Sequence, residues 1–119
     1  MNINQFRENL EQFIGTLSYH RLNLYPIYAT DGVEYFCRTV KAFWLFDDMS
    51  AVAMKNKDEE FIVVKIRSEN NKCDVIYDDG NGKKIYHQYY SYTDLPEGDW
   101  KFYISNYPTE KVIMLPSEY

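Results

Sequence analysis

Histidine and cysteine are scarce in this chain of 119 residues, which has two of each. His20 and His87 lie far apart in the sequence, and neither they nor the single residues Cys37 and Cys73 form a spaced pair of metal ligands. The five glycines do not form a phosphate-binding loop either. We therefore expect no metal, no cofactor and no catalytic residue, and we predict that the protein is not an enzyme.

Long apolar runs are also absent, and no segment approaches the roughly 20 residues that a membrane helix needs. The N-terminal sequence MNINQFRENL lacks the basic and apolar segments of a secretory signal. These absences predict a cytoplasmic protein that makes no membrane contact. In that compartment Cys37 and Cys73 remain free thiols, and both are expected to be small buried apolar residues.

Positive charge is in deficit, since the net charge is −5 and the sequence pI is about 5.0. This balance disfavours direct binding of nucleic acid, which requires a concentrated basic surface. An acidic surface can instead compete for a basic groove that normally holds nucleic acid. The sequence therefore favours a protein partner over a nucleic acid.

Aromatic residues are abundant, at 18% of the chain with twelve tyrosines. Tyrosine has an apolar body and a polar tip, which suits both half-buried strands and interface patches. The chain length predicts a single domain over residues 1–119.

A central helical stretch, Asp31 to Met54, is the longest apolar-rich segment. Asp31 is predicted to cap it, with Glu34 completing the capping box. Asp47, however, falls on the apolar face of a continuous helix. Either the helix breaks near Phe46 and Asp47 or Asp48 caps a second helix, or Asp47 is buried and hydrogen-bonded. The apolar face comprises Val33, Phe36, Val40, Phe43 and Trp44.

The other periodic segments predict one helix over Asn2–Ile14 and a series of strands. An edge strand is possible within Leu17–Tyr28, and Asp78 to Gly82 has the signature of a tight hairpin turn. The predicted fold is therefore α+β, an antiparallel sheet of four to five strands with two to three helices packed on one face. The predicted strands are Phe61–Arg67, Cys73–Tyr77, Lys84–Tyr92, Trp100–Ser105 and Val112–Leu115.

Alternation along these strands separates two faces of the sheet. The second face is unusually apolar for a solvated surface, so it either binds a partner or is covered by the N-terminal segment of the chain itself. The residues predicted to face the helices are Ile62, Val64, Ile66, Cys73, Val75, Trp100, Phe102 and Ile104. Those predicted to face outward are Phe61, Val63, Ile76, Tyr86, Tyr90, Tyr92 and Tyr103.

Five segments together resemble a family of small uncharacterised proteins of bacteria, plasmids and phages. They are TDGVEYF (30–36), FWLFDD (43–48), VIYDDGNG (75–82), YTDLP (92–96) and LPSEY (115–119). The resemblance implies a compact domain from a mobile element and transfers no catalytic residue. Small acidic phage proteins often inhibit host defence complexes, as anti-CRISPR proteins do. The implied partner is thus a protein or ribonucleoprotein effector in the host cytoplasm.

Such an inhibitor would occupy a basic channel with its acidic clusters and tyrosines. A homo-oligomeric scaffold, such as a homodimer, is the alternative, and a single-stranded nucleic-acid-binding domain is a weaker one. The predicted contact residues are Asp47, Asp48, Asp58, Glu59, Glu60, Asp78, Asp79, Tyr86, Tyr90, Tyr92 and Tyr103.

Overall fold

A six-stranded mixed sheet with three α-helices makes up the fold of the computed structural model, which describes residues 2–106 and 110–119. This confirms the α+β class, with one strand more than expected. The elements are α1 (Ile3–Glu11), β1 (Ile27–Ala29), α2 (Asp31–Val40), α3 (Phe43–Lys55), β2 (Phe61–Glu69), β3 (Lys72–Asp78), β4 (Lys84–Tyr90), β5 (Gly98–Asn106), β6 (Lys111–Met114) and a 3₁₀ turn (Pro116–Glu118).

The strands lie in the order β1-β6-β5-β2-β3-β4. Neighbours pair antiparallel except β1, which runs parallel to β6, so the expectation of a purely antiparallel sheet was wrong. Pro26 immediately precedes β1, which forms one edge of the sheet, as proline requires. The sequence predicts a turn between the predicted strands Trp100–Ser105 and Val112–Leu115, and residues 107–109 of this turn lie outside the described residues. No helix within the described ranges is long and apolar enough to cross a membrane.

The core lies between the helices and the inner face of the sheet. Every residue predicted to face inward is buried. Phe36 of α2 packs edge-on against Trp100 and Phe102, with ring centroids 5.4 and 5.1 Å apart. Phe6 of α1 joins this cluster, 5.6 Å from Phe36. Burying a side chain such as Phe36 contributes about 2–3 kcal/mol, so these contacts fix α1 and α2 to the sheet.

The helix break falls at Lys41 and Ala42, not near Phe46 as predicted. Lys41 adopts a left-handed conformation (φ 57°), and the amide of Ala42 donates to the carbonyl of Cys37 at 2.9 Å. The break rotates the following helix, and both Asp47 and Asp48 are therefore exposed within α3. Neither residue caps α3 and neither is buried, so both alternatives were wrong. Phe43, expected to be covered, has 41% of its surface exposed.

Thr30, not Asp31, caps α2. Its hydroxyl accepts from the amide of Val33 at 3.4 Å. Asp31 instead accepts from the amide of Leu17 at 2.8 Å and pairs with the ring of His20 at 2.8 Å. The hydrogen bond from His20, with that from Leu17, lowers the pKa of Asp31. Asp31 therefore holds the N-terminal segment against the start of α2.

Glu118, near the C-terminal end of the described chain, also bonds to the N-terminus of α2. Its Oε1 accepts from the Thr30 hydroxyl at 2.5 Å, and its Oε2 accepts from the Gly32 amide at 3.0 Å. A Cβ on Gly32 would lie 2.5 Å from Leu115 Cδ1, so only glycine allows this approach without a shift. The carboxylate satisfies orphan amides and complements the positive end of the helix.

The outer face of the sheet is partly covered by other segments of the chain. Phe61 and Tyr103, which do face outward, pack against Tyr119 at centroid distances of 5.4 and 5.5 Å. Gly80 of the predicted hairpin lies over Val63, which is buried. The N-terminal segment contributes a bridge between His20 and Ala29 at the β1 edge, and its Thr16 and Tyr19 line a pocket together with Ser105 and Tyr119. Helix α1 ends at Glu11, before the predicted Ile14, which is exposed.

Replacing Glu118 should reveal how much this helix closure contributes. Glu118→Ala removes acceptors from Thr30, Gly32 and Leu115, and we expect it to lower the free energy of unfolding by about 2 kcal/mol. Urea denaturation measures the change. Glu8→Ala, at an exposed position of α1, serves as control and should change stability by less than about 0.5 kcal/mol. Equal effects of the two variants would contradict the role of Glu118.

Candidate binding cleft

The β4 strand presents its tyrosines to the helices, not to the opposite face as predicted. Tyr86 pairs with Tyr77 and Tyr90 pairs with Cys73, and both of these β3 partners point inward. Paired residues share one face of an antiparallel sheet, so Tyr86 and Tyr90 also lie on the inner face. The outward assignment was wrong because both alternate sets of β4 residues are aromatic and polar, which leaves the pattern without a preferred face.

A cleft of about 290 Å³ opens where this part of the sheet extends past α3. Three of the predicted contact residues, Asp48, Tyr86 and Tyr90, meet there. One wall comes from α3 and the other from β3 and β4. The lining residues are Asp48, Ala51, Val52, Lys55 and Asn56 on α3, and Tyr77, Tyr86, Gln88 and Tyr90 on the strands.

Tyr90 joins the two walls. Its hydroxyl donates to Oδ2 of Asp48, and its ring packs edge-on against Trp44 at 5.2 Å. Burial and the bond to Asp48 raise the pKa of Tyr90, which favours the protonated hydroxyl that donates in this bond. On the outer part of the same wall, the Tyr86 hydroxyl donates to Gln88 Oε1 at 2.9 Å. The strand side of the cleft is therefore ordered by hydrogen bonds before any ligand binds.

Charge differs between the two ends of the cleft. Asp48 and Lys55 are both exposed on α3 and are separated by two helical turns. At 1.5 Å per residue, the two side chains are attached about 10 Å apart along the helix. One end can therefore attract a cation and the other an anion.

The remaining predicted acids do not join this cleft. Asp47 accepts from Asn23 Nδ2 at 2.8 Å. Asp78 is buried, accepts from the amide of Gly80 at 2.8 Å and pairs with Lys65 at 3.2 Å. Asp79 accepts from the amides of Asn81 and Lys83, which lower its pKa. Asp78 and Asp79 thus hold the hairpin turn.

The loop of Asp58, Glu59 and Glu60 lies among cations and does not form a separate acidic patch. Glu59 pairs with Lys83 at 3.8 Å, and its carbonyl accepts from Lys111 Nζ at 2.8 Å. Burial lowers the pKa of Lys111, and the nearby Glu59 and Asp58 oppose that shift. The predicted acidic residues are therefore distributed over three parts of the structure and do not form one acidic surface.

The last two predicted tyrosines lie elsewhere. Tyr92 follows β4, is 71% exposed and donates to Asp94 at 3.0 Å. Tyr103 belongs to the outer cluster with Phe61 and Tyr119. The predicted list of contact residues also omitted Lys55 and Asn56. The seven-residue spacing could have indicated Lys55, because it places Asp48 and Lys55 on the same side of a helix.

Reactive groups are dispersed in the described part of the chain. His20 pairs with Asp31, and His87 pairs with Asp74 at 2.8 Å. Within residues 2–106 and 110–119, no three His, Cys, Asp or Glu side chains are grouped closely enough to hold a metal ion. Burial raises the pKa of Cys37 to about 12 and that of Cys73 to about 11, which disfavours the nucleophilic thiolate of either residue.

Comparison with known proteins identifies a family but no activity. A family model described as "Family of unknown function (DUF6876)" matches residues 4–119. A crystal structure of a protein of unknown function from Enterococcus faecalis shares the fold, with a TM-score of 0.55 and 18% identity. That similarity covers 86% of this chain and 98% of the other. No curated protein matches the chain significantly.

The buried thiols should make stability depend on alkaline pH. An unfolded thiol has a pKa of about 8.5, so above that pH the unfolded state releases protons that the folded state retains. The free energy of unfolding should therefore fall as pH rises, by about 1.4 kcal/mol per thiol at about pH 9.5. Denaturation between pH 8 and 10 measures this slope.

A pair of variants separates ionisation from packing. Cys37→Ala should make the decline with pH shallower. Val33→Ala, a core truncation without a titratable group, should lower stability at every pH and leave the slope unchanged. An unchanged slope in Cys37→Ala would contradict the assignment to this thiol.

Proposed function

We propose that this protein, which belongs to the family of unknown function DUF6876, is a non-enzymatic binding protein whose α3–β4 cleft takes up a basic segment of a partner protein. The observation that carries the proposal is the convergence of an exposed carboxylate, Asp48, with the rings of Tyr86 and Tyr90 in one cleft. These elements lie far apart in sequence and meet only through the fold.

A lysine or arginine side chain fits this combination of groups. Tyr90 occupies one oxygen of Asp48, and a carboxylate has further lone pairs for a second donor. The faces of Tyr86 and Tyr90 offer cation–π contacts, each of about 0.5–1 kcal/mol at an exposed site. Tyrosine rings also supply contact area with little loss of side-chain entropy.

Lys55 restricts the class of segment that the cleft would accept. A partner segment with cations only would be repelled at that end of the cleft, whereas one with a basic and an acidic residue matches both ends. Gln88 and Asn56 add amide groups that can bond to the backbone of an extended segment. The proposed ligand is therefore an extended peptide segment of mixed charge with an arginine or lysine at the Asp48 end.

The narrower form of the proposal is inhibition of a host nucleic-acid defence effector, in the manner of anti-CRISPR proteins. Its support is the net charge of −5 and the resemblance of five sequence segments to a family of small uncharacterised proteins of bacteria, plasmids and phages. Such an inhibitor would act in the cytoplasm of the host cell. The distribution of the acids shifts the expected contact from the Asp58–Glu60 loop to Asp48, because the loop acids lie among lysines.

A stacking surface for single-stranded nucleic acid has less support. That function needs a row of aromatic rings along a basic groove. Tyr86 and Tyr90 instead line the cleft beside Asp48, and Tyr92 bonds to Asp94. Both carboxylates would repel phosphate.

A peptide titration tests the cleft directly. The probe is a blocked pentapeptide with a central arginine and a glutamate two residues later. Its binding is monitored through the backbone amide chemical shifts of the isotopically labelled protein. We expect shifts at Asp48, Ala51 and Tyr86–Tyr90, and about fivefold weaker binding by Asp48→Asn, close to 1 kcal/mol. Asp47→Asn, which removes the adjacent carboxylate that faces Asn23, is the matched control. Equal affinity for a peptide with glutamine in place of arginine would contradict the proposal.

Inhibition of a defence effector is tested by adding the protein to a purified RNA-guided nuclease and measuring target cleavage. The narrower proposal expects inhibition that weakens with salt and is lost in Asp48→Lys. Joint replacement of Asp58, Glu59 and Glu60 by lysine should have a smaller effect than Asp48→Lys. The decisive nucleases are those of the organism's own defence systems. If they cleave their target fully at a saturating concentration of this protein, the inhibitor proposal is excluded, whereas the result of the peptide titration is unaffected.

A further inference from the structure

Two lysines lie directly opposite each other on the outer face of the sheet. Lys65 of β2 and Lys101 of β5 are register partners, and both are exposed. The amide of Asn106 donates to the carbonyl of Glu60, so Asn106 and every second residue before it bond to β2. Lys101 is outside this set, and in such a non-hydrogen-bonded pair the Cα atoms are only about 4.5 Å apart. The sheet therefore brings two ammonium groups together, an arrangement that destabilises it.

The adjacent row of the same face has balanced charge. Arg67 of β2 lies between its register partners Asp74 and Asp99, and it pairs with Asp99 at 3.0 Å. This row therefore follows the rule that opposite charges face each other across strands. The pairing of Lys65 with Lys101 is a local exception on this face.

The fold compensates the two lysines unequally. Lys65 pairs with Asp78 at 3.2 Å. The ammonium of Lys101 lies 5.6 Å from the ring centroid of Tyr103 and forms no ion pair with residues 2–106 or 110–119. An anion between the two ammonium groups would offset their repulsion and give Lys101 a partner.

A cavity of about 320 Å³ lies at the lysine pair. Ile76, which also lines it, is half-buried and is the register partner of Lys65 on β3. The aliphatic stems of the lysines extend this apolar surface, while their charged ends remain in solvent. The cavity thus places positive charge beside apolar surface.

We infer that the outer face of the sheet binds an acidic segment of a partner protein, with one carboxylate between Lys65 and Lys101 and an apolar side chain on Ile76. This inference is independent of the proposed α3–β4 cleft, because it uses the opposite face of the sheet and none of the residues that line the cleft.

The charges around the lysine pair favour a single carboxylate over a polyanion. Asp74 and Asp99 lie two residues along their strands from Ile76 and Lys101, a distance of about 6.6 Å. Both carboxylates would repel the successive phosphates of a nucleic acid or the charged surface of an anionic membrane. A protein segment can instead present one carboxylate between uncharged residues.

Strand spacing determines how far the carboxylate lies from the apolar residue. Neighbouring strands are about 4.8 Å apart, so Ile76 is about 7 Å from the point midway between Lys65 and Lys101. Two residues of an extended chain span about 6.6 Å, and their side chains point to the same side. A segment that crosses the strands therefore matches the site when its acidic and apolar residues are two positions apart.

A peptide titration, followed through the backbone amide chemical shifts of the isotopically labelled intact protein, tests the site. The probe is the blocked pentapeptide Gly-Glu-Ser-Leu-Gly. One control peptide has glutamine in place of glutamate, and the other, Gly-Glu-Leu-Ser-Gly, places the leucine beside the glutamate. We expect shifts at Lys65, Ile76 and Lys101 with the probe, and binding at least about threefold weaker with either control. No shift at these residues, or equal affinity for the glutamine peptide, overturns the inference.

A ten-nucleotide oligothymidylate tests the alternative occupant. We expect it to bind the outer face more weakly than the probe peptide, because Asp74 and Asp99 repel its phosphates. Tighter binding of the oligonucleotide at Lys65 and Lys101 overturns the inference, since the site would then select a polyanion.

Two lysine variants separate binding from folding. Lys101→Gln should weaken binding of the probe about threefold, and Lys57→Gln, the same change at an exposed position after α3, should leave it within about twofold. Because Lys101→Gln also relieves the like-charge pair, its urea midpoint of unfolding should lie above that of Lys57→Gln. Equal affinities of the two variants overturn the inference. A lower midpoint for Lys101→Gln also overturns it, because Lys101 would then serve the fold.

Discussion

The contact on which the rest of the structure depends is the carboxylate of Glu118 at the start of α2. It bonds to the Thr30 hydroxyl and to the amide of Gly32, while Thr30 also donates its amide to the carbonyl of Ile113 in β6. The start of α2, strand β6 and the C-terminal 3₁₀ turn are thereby joined through a few polar atoms. Because α2 carries Phe36 into the aromatic core, the position of that core follows from this junction.

The cleft depends on a second constraint, the left-handed conformation of Lys41. This conformation ends α2, and α3 then begins with its faces rotated relative to those of α2. As a result, Leu45, Phe46 and Met49 are buried. The same rotation turns Asp48 towards β4, where Tyr90 meets it. A continuous helix would have buried Asp47 and left β4 without its carboxylate partner. The break therefore creates the site and also avoids a buried charge.

The sequence predicted the inner face of the sheet because apolar and polar residues alternate clearly in β2, β3 and β5. It misplaced the helix break because Lys41, unlike a glycine, gives no sign of a left-handed conformation. It could not orient β4, since tyrosines occupy both of its alternate sets. The segments that suggested a family are explained by packing: TDGVEYF contacts LPSEY through Gly32 and Glu118, and Pro96 of YTDLP accepts from the Trp100 ring nitrogen. The site arose from long-range contacts that local patterns do not encode.

The junction at Glu118 also has a consequence for biosynthesis. Thr30 and Gly32 leave the ribosome long before Leu115 and Glu118, and β1 must likewise wait for β6, its parallel neighbour. During translation the first third of the chain therefore lacks both its helix closure and its strand partner. Folding of this region is expected to be completed only after the last strand has emerged, and until then the exposed β1 edge and α2 are potential clients of chaperones.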